Sequence, residues 1–352
     1  MSPVVILKKI SILLLSFIML FSFSGCSKNK NVINIKSEKT NYNNIYNFAH
    51  SGFWVNNNSI YYRKSGFYNN FYYRIDNKGK ELITTDNKFN LLVAKDSKGE
   101  IGAQIQAFGN NMYFWYLGEN KEQSDLYQYN TESKDFKKVL SVSQNVYEWT
   151  IVDNILIYSA FIDGYDENLN SLWCCSLNSE ETPIEIADKT SAFGIRKNKI
   201  VYTKRDTSGQ ATLYEYDYEN KKSAMLCSFD GLYKNYNPYN FTEKSVVFAT
   251  DKLHVVDIKT GLQKSFDLPG YADYFNCYEE YAFVYLRNNI YRVNLLTGKI
   301  ELICEKLEEC FLLNPISDEC IVAISYGGSS VRTKVEVYAI YADGKIEKMF
   351  NI

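Results

Sequence analysis

A five-residue pattern recurs seven times along this 352-residue chain and constrains its fold more than any other feature. The order is apolar, aromatic, any residue, apolar, then Asp or Asn. Five copies are plain: Tyr72-Tyr73-Arg74-Ile75-Asp76, Leu126-Tyr127-Gln128-Tyr129-Asn130, Leu213-Tyr214-Glu215-Tyr216-Asp217, Leu253-His254-Val255-Val256-Asp257 and Ile290-Tyr291-Arg292-Val293-Asn294. Two are looser: Leu172-Trp173-Cys174-Cys175-Ser176 and Val337-Tyr338-Ala339-Ile340-Tyr341. Their second positions repeat on average every ~44 residues, the length of one four-stranded sheet unit in a repeat protein.

The surroundings of each copy repeat as well. Upstream lies an apolar strand, such as Ile155-Leu156-Ile157-Tyr158 or Phe283-Val284-Tyr285. Downstream comes a tight turn, as in Asp76 to Gly79, Asp257 to Gly261, Asn294 to Gly298 and Asp343-Gly344. An Asp or Asn that ends a strand can bond its own backbone two residues on, and Gly supplies the positive φ that closes the hairpin. A further short strand follows, for example Ile300 to Ile303, and a fourth falls between repeats, as in Val146 to Ile151 or Phe311 to Ile316. No amphipathic helix of useful length emerges. Antiparallel quartets that cannot bury both faces alone do so by radial packing, which leaves only short edges. The expected fold is all-β, a β-propeller of seven four-stranded blades over residues 46–352, with six or eight blades as alternatives. The phase opens on an inner strand near Phe48 to Val55 and closes on an outer strand at Lys345 to Phe350, so each blade is continuous in sequence. Ring closure then rests on packing of the first blade on the seventh, unless Val32 to Ile35 adds an outer strand.

The N-terminus carries an address. Lys8 and Lys9 precede an apolar stretch, Ile10 to Phe23, too short for a comfortable span of roughly 20 residues and suited to a signal-peptide core. It ends at Phe23-Ser24-Gly25-Cys26, which resembles the bacterial lipobox. That resemblance implies cleavage after residue 25, a signal peptide over residues 1–25, and a diacylglyceryl group on the thiol of Cys26. Two acyl chains at ~0.8 kcal/mol per buried CH₂ give stable anchoring. Residues 26–45 are polar and read as a flexible tether. The expected location is therefore extracytoplasmic, lipid-anchored to the cell membrane through Cys26.

Charge narrows the partners. The formal net charge is −2, and loss of Lys8 and Lys9 takes it to −4, so no nucleic-acid partner is expected. The 30 Tyr and 21 Phe against 5 Pro fit a strand-rich chain, because aromatic side chains pack well on a pleated surface. Seven cysteines follow Cys26, at 174, 175, 227, 277, 304, 310 and 320. An exported protein can form disulfides, and Cys310 with Cys320 is the first pair to test. Buried thiols acting as small apolar residues are the favoured reading. Cys174 and Cys175 are neighbours on a strand and should face opposite ways, which argues against a shared metal.

Two further resemblances follow from the repeat. The turns at Asp257 to Gly261 and Asn294 to Lys299 are similar to those of quinoprotein-like propellers, but the Trp that ends that repeat is missing, so the quinone cofactor does not carry over. The pattern over residues 46–350 resembles bacterial surface lipoproteins with TolB-like, or low-density-lipoprotein-receptor-like, propellers of unassigned function. It is specific for fold and nearly silent on chemistry.

Chemistry-bearing motifs are few. With 2 His in the chain, a His-rich metal centre is excluded. His254 fills an aromatic slot of the repeat and reads as a packing residue. No nucleophile elbow, phosphate-cradling loop, CxxC or zinc spacing appears, so neither cofactor nor metal is expected and no catalytic residue stands out. The loops carry more. Asp163, Tyr165 and Asp166 sit in an acidic loop on one predicted face, where oxygens could hold calcium, although the loop lacks the full EF-hand pattern and a solvated acidic loop is the favoured reading. Tyr233, Tyr236, Asn237 and Tyr239 join the fourth and fifth blades on that face, and Tyr271 and Tyr274 follow in the next connection. Tyr with Asn offers flat apolar faces beside amides, suited to sugars or peptides, while some of these tyrosines simply fill core. The sequence favours a binding module for a protein or cell-envelope glycan over a lyase or glycoside hydrolase built on loop carboxylates, or a scaffold for a membrane complex.

Overall fold

The computed structural model describes residues 53–351, apart from 57–58, 66–69, 77–78, 86–98, 102–105, 109, 119–122, 162–169, 179–180, 197–198, 207, 209, 231–238, 308–309 and 328–333. The expected signal peptide, the tether with Cys26 and the segment Val32 to Ile35 lie outside these residues.

Every described element is a strand, and the strands pair antiparallel in order along the chain. The first quartet is β1 (Phe53–Asn56), β2 (Ser59–Ser65), β3 (Asn70–Asp76) and β4 (Gly79–Thr85). In the second, β5 (Gly99–Ile101) and β6 (Gln106–Phe108) share the inner position against β7 (Asn111–Gly118), followed by β8 (Ser124–Asn130) and β9 (Phe136–Val142). The third has β10 (Val146–Val152), β11 (Ile155–Phe161), β12 (Asn170–Ser176) and the first half of β13 (Ile184–Arg196). The second half of β13 opens the fourth, with β14 (Lys199–Arg205), β15 (Gln210–Asp217) and β16 (Lys222–Asp230). The fifth is β17 (Asn240–Phe241), β18 (Ser245–Ala249), β19 (Lys252–Asp257) and β20 (Gln263–Asp267). The sixth is β21 (Tyr274–Tyr278), β22 (Tyr281–Leu286), β23 (Asn289–Asn294) and β24 (Ile300–Cys304). The last is β25 (Cys310–Pro315), β26 (Cys320–Gly327), β27 (Lys334–Tyr341) and β28 (Ile346–Asn351). Each quartet is continuous in sequence, as the repeat phase requires.

All seven copies of the pentapeptide lie at the end of a third strand. Their chemistry now has a cause. The first and fourth positions point to opposite faces of the strand, and both are buried wherever described: Leu213 at 0% and Tyr216 at 3% exposure are typical. Leu213 packs against the fifth quartet with Phe241 and Val246, and Tyr216 against the third with Ile157 and Cys174. Position one thus addresses the following quartet and position four the preceding one. Leu253 and Val256 repeat this division, as do Leu172 and Cys175. The hydrophobic clusters accordingly lie between consecutive quartets, from the second through the seventh. A strand buried on both faces cannot alternate apolar with polar, which is why the pattern resists a simple two-residue period.

The turns behave as the residues dictate. Oδ1 of Asp257 accepts from the amide and the hydroxyl of Thr260, both at 2.7 Å. Oδ1 of Asn294 accepts from the amides of Leu296 at 3.0 Å and Thr297 at 2.9 Å. Gly261 and Gly298 then take φ of 71° and 73°. At the matching positions of the second and fourth quartets stand Lys134 and Lys221, with φ of 64° and 52°.

The seven cysteines are buried thiols. Cys310 and Cys320 face Ser325 and Tyr341 at opposite ends of the β25–β26 hairpin, so the pair singled out from the sequence does not bridge. Cys174 and Cys175 enter different clusters on opposite faces, and burial pushes both thiols up to about 12, far from the reactive thiolate. His254 stacks on Phe248 with centroids 4.8 Å apart and its Nδ1 lies 2.9 Å from Ser265 Oγ, a packing role as expected.

Candidate functional site

In every quartet the inner strand begins where the second strand ends. These ends define a leading rim, which collects the long connections between quartets. Two clusters of exposed aromatic side chains are described on it.

The first is on the sixth quartet. Tyr271 precedes β21 and is 48% exposed, and Tyr274 opens β21 at 37%. Tyr274 leans on Tyr285 at the end of β22, with centroids 6.4 Å apart at 31°. Tyr285 is a rigid support. Its ring is buried, its hydroxyl lies 2.9 Å from Asn288 Oδ1 and 3.0 Å from the Leu307 carbonyl, and it accepts from the Cys310 amide at 3.2 Å. Arg287 and Asn288 turn the chain between β22 and β23, with φ of 47° and 65°. That tight turn suits the right-handed twist of the hairpin. The Arg287 amide donates to Asp273 Oδ2 at 3.3 Å, and Asp273 and Arg287 are both exposed. Two tyrosine faces thus stand beside a carboxylate and a guanidinium.

The second cluster is on the third quartet. Tyr147 on β10 and Phe161 at the end of β11 are 36% and 41% exposed, with ring centroids 4.8 Å apart. A bulge between Val146 and Glu148 turns Tyr147 outward. Next to it, Glu148 is pushed up to about 7 by burial. Besides Glu100 of β5, it is the one carboxylate on the described inner-strand residues. Among the described residues no three His, Cys, Asp or Glu gather closely enough to hold a metal ion.

The structure brings together Tyr271 and Tyr274 from the residues picked out by sequence. It separates Tyr239, which is 8% exposed and packed edge-on against Phe229 and Phe248, its hydroxyl accepting from Arg205 Nη2 at 3.0 Å. Tyr239 is a core residue between the fourth and fifth quartets, one of the tyrosines that fill space. Asp163, Tyr165, Asp166, Tyr233, Tyr236 and Asn237 lie outside the described residues. Tyr147, Phe161 and Glu148 were missed. The signal for them was an aromatic just where an inner strand starts or a second strand ends, beyond the last position that core packing needs.

No family model and no curated protein matches the chain. Solved structures do. The β-propeller domain of the Trilobed protease from Pyrococcus furiosus, described as having an open velcro topology, superposes with a TM-score of 0.58 at 13% identity, over 85% of this chain and 94% of that one. The uncomplexed acylaminoacyl peptidase of Pyrococcus horikoshii gives 0.56 at 13% identity, over 88% of this chain and 53% of that one; the chain spans about half the length of that peptidase. The putative TolB from Agrobacterium tumefaciens aligns over 66% of this chain at 14% identity with a TM-score of 0.43. Identities this low speak to architecture alone, and the first two likenesses, with the consecutive quartets and the clusters between them, show that this chain is an all-β protein of β-propeller fold.

Proposed function

We propose that this protein is an extracytoplasmic lipoprotein, held at the membrane by acylated Cys26, whose propeller binds a protein or cell-envelope glycan ligand on its leading rim. One observation carries the reading: Tyr271 and Tyr274 present exposed rings on a support, Tyr285, that is locked by buried hydrogen bonds. Aromatic anchors that are rigid before binding lose little entropy on contact, and they dominate recognition surfaces. The flanking Asp273 and Arg287 supply directional polar contacts. The propeller domains with similar architecture belong to peptidases, whose activity is not assigned to this chain.

The test has two arms. Purified wild-type protein and the Tyr271→Ala/Tyr274→Ala variant are compared for binding to isolated cell-wall sacculi, envelope polysaccharides and a detergent extract of envelope proteins. The double variant should bind at least about tenfold more weakly, given the weight of aromatic anchors. Equal binding by both proteins defeats the rim reading. Independently, Cys26→Ser should move the protein from the membrane to the soluble fraction, and unchanged membrane partition defeats the anchor.

Glu148 favours one second reading, a propeller enzyme. A carboxyl that titrates near neutrality suits general acid–base work. Glu148→Gln should then abolish turnover of an envelope polysaccharide while leaving its binding intact. A glycoside hydrolase needs a second carboxylate at ~5–10 Å; on the described inner strands the other candidate is Glu100 of β5.

A further inference from the structure

The inner strands carry a set of polar side chains that a buried, apolar position does not call for. Pairing registers put Gln106, Thr150, Gly194, Asn240, Asn276 and Asn314 at one level. Each lies opposite a second-strand residue that in turn faces the third position of the pentapeptide. The amides among them are at most 4% exposed. Bonds from these amides reach the next quartet's inner strand, beside the residue at the same level, and Asn276 Oδ1 in addition accepts from the amide of its own neighbour Cys277 at 2.8 Å. Gln106 Nε2 donates to the Trp149 carbonyl, and its Oε1 accepts from the Ile151 amide at 2.9 Å, so it grips both sides of Thr150. Asn240 Oδ1 accepts from the Cys277 amide, just after Asn276, at 3.3 Å. Asn276 Nδ2 donates to the Leu313 carbonyl, just before Asn314, at 2.9 Å. The change of direction has a cause: the residue just after Asn314 is Pro315, which has no N–H to offer.

From the second quartet to the seventh, two lack an amide at this level and hold the next quartet otherwise. The third carries Thr150, too short to reach across, but there β13 runs on as one strand into the fourth. The fourth carries Gly194, where a Cβ would stand 2.4 Å from Cδ2 of Phe241, so a ring from the fifth quartet presses on the bare backbone.

Asn314 belongs to the seventh quartet, the last of those described. It is 4% exposed and its Oδ1 has no hydrogen-bond partner, an arrangement that leaves an acceptor without compensation for lost water. The same register logic applied to the first quartet runs from Arg74 through Tyr61 to Trp54. The residue just after Trp54 is Val55, which has an amide where the last quartet has Pro315. We infer that Asn314 is the clasp of the ring: its Oδ1 accepts from the Val55 amide of β1 when the last quartet closes on the first, and it stands open in this structure. Among the described residues no strand is exchanged between the first and last quartets, and there this one side chain does for the seam what Gln106, Asn240 and Asn276 do elsewhere. The seam is a strap that closes and opens, and it is the place where the ring yields first.

Amide hydrogen exchange on the purified protein, read by peptide mass, tests this with Asn314→Leu against Asn276→Leu. Asn314→Leu should speed exchange at least about tenfold in peptides covering 53–56 and leave 274–278 unchanged, whereas Asn276→Leu should loosen 310–315 instead. A variant too unstable to purify is replaced by its Ser counterpart, which is shorter but still polar, and read the same way. Exchange at 53–56 that matches the wild type, or that rises equally in every quartet, overturns the clasp.

Discussion

At the scale of single residues, the repeated turn after the third strand shows how one conformation is reached with different chemistry. Gly261, Gly298, Lys134 and Lys221 all occupy left-handed backbone four residues after the Asp or Asn that ends the strand. For a residue with a Cβ this costs roughly 1 kcal/mol. Gly298 has a second reason to be Gly, since a Cβ there would stand 2.3 Å from Cδ1 of Phe266. Gly298→Ala should therefore lose about 2–3 kcal/mol in urea unfolding, combining strain with overpacking. Lys221→Gly, in an exposed turn without such a neighbour, should gain up to ~1 kcal/mol. Losses of equal size at both sites would mean that the turn is not under the strain its φ values describe.

At the scale of elements, the outer strands hold a regularity of their own. In six quartets the pairing of third and outer strand slips between the first and second positions of the pentapeptide. The extra outer-strand residue is Ile83, Val139, Ile186, Leu226, Ile303 or Met349, apolar in every case. A bulge of this kind sharpens the local twist and redirects one side chain, and Val139, Ile186, Leu226 and Ile303 each pack against a cluster between quartets. Ile303 is 3% exposed while its neighbour Leu302 is 45% exposed. Ile303→Ala should cost about 2–4 kcal/mol and Leu302→Ala almost nothing, although the sequence offers the two as like residues on one strand. This is also where the sequence stopped being legible. The pentapeptide, its turns and the strand order could be read because each is local: propensity, an Asx bond, a Gly. The bulges, the fusion of two quartets through β13 and the inner amides could not, because each answers to a neighbour ~40 residues away, at the spacing of one blade. Tyr239 and Tyr274 illustrate the same limit. Both stand at the start of an inner strand, but the register puts Tyr239 level with the buried Phe275, one residue deeper than Tyr274. The fifth quartet alone shows no slip, and it is the one with His254 in the aromatic slot.

At the scale of the whole molecule, two ionisable groups held partly or wholly out of water set opposing trends in stability with pH. Burial holds His254 below its ordinary value, so the unfolded chain takes up this proton first as pH falls. Stability from this group is full above about 6.5 and is lost as pH drops below it. Glu148 runs the other way. Its folded value is raised from 4.5 to about 7, so its contribution is full below 4.5 and is lost as pH rises to 7, by on the order of 2–3 kcal/mol. Between pH 5 and 7 the wild-type curve is therefore the sum of two opposing slopes, each partly masking the other. His254→Phe keeps the stack on Phe248 and removes the acid-side loss, so its stability should fall steadily from pH 5 to 7. Glu148→Gln removes the neutral-side loss and should make stability climb over the same range. Chemical unfolding at half-unit steps separates the three curves. A Glu148→Gln curve parallel to the wild type would show that Glu148 is as well solvated in the folded ring as in the unfolded chain, and the acid–base reading of the inner strands would fall with it.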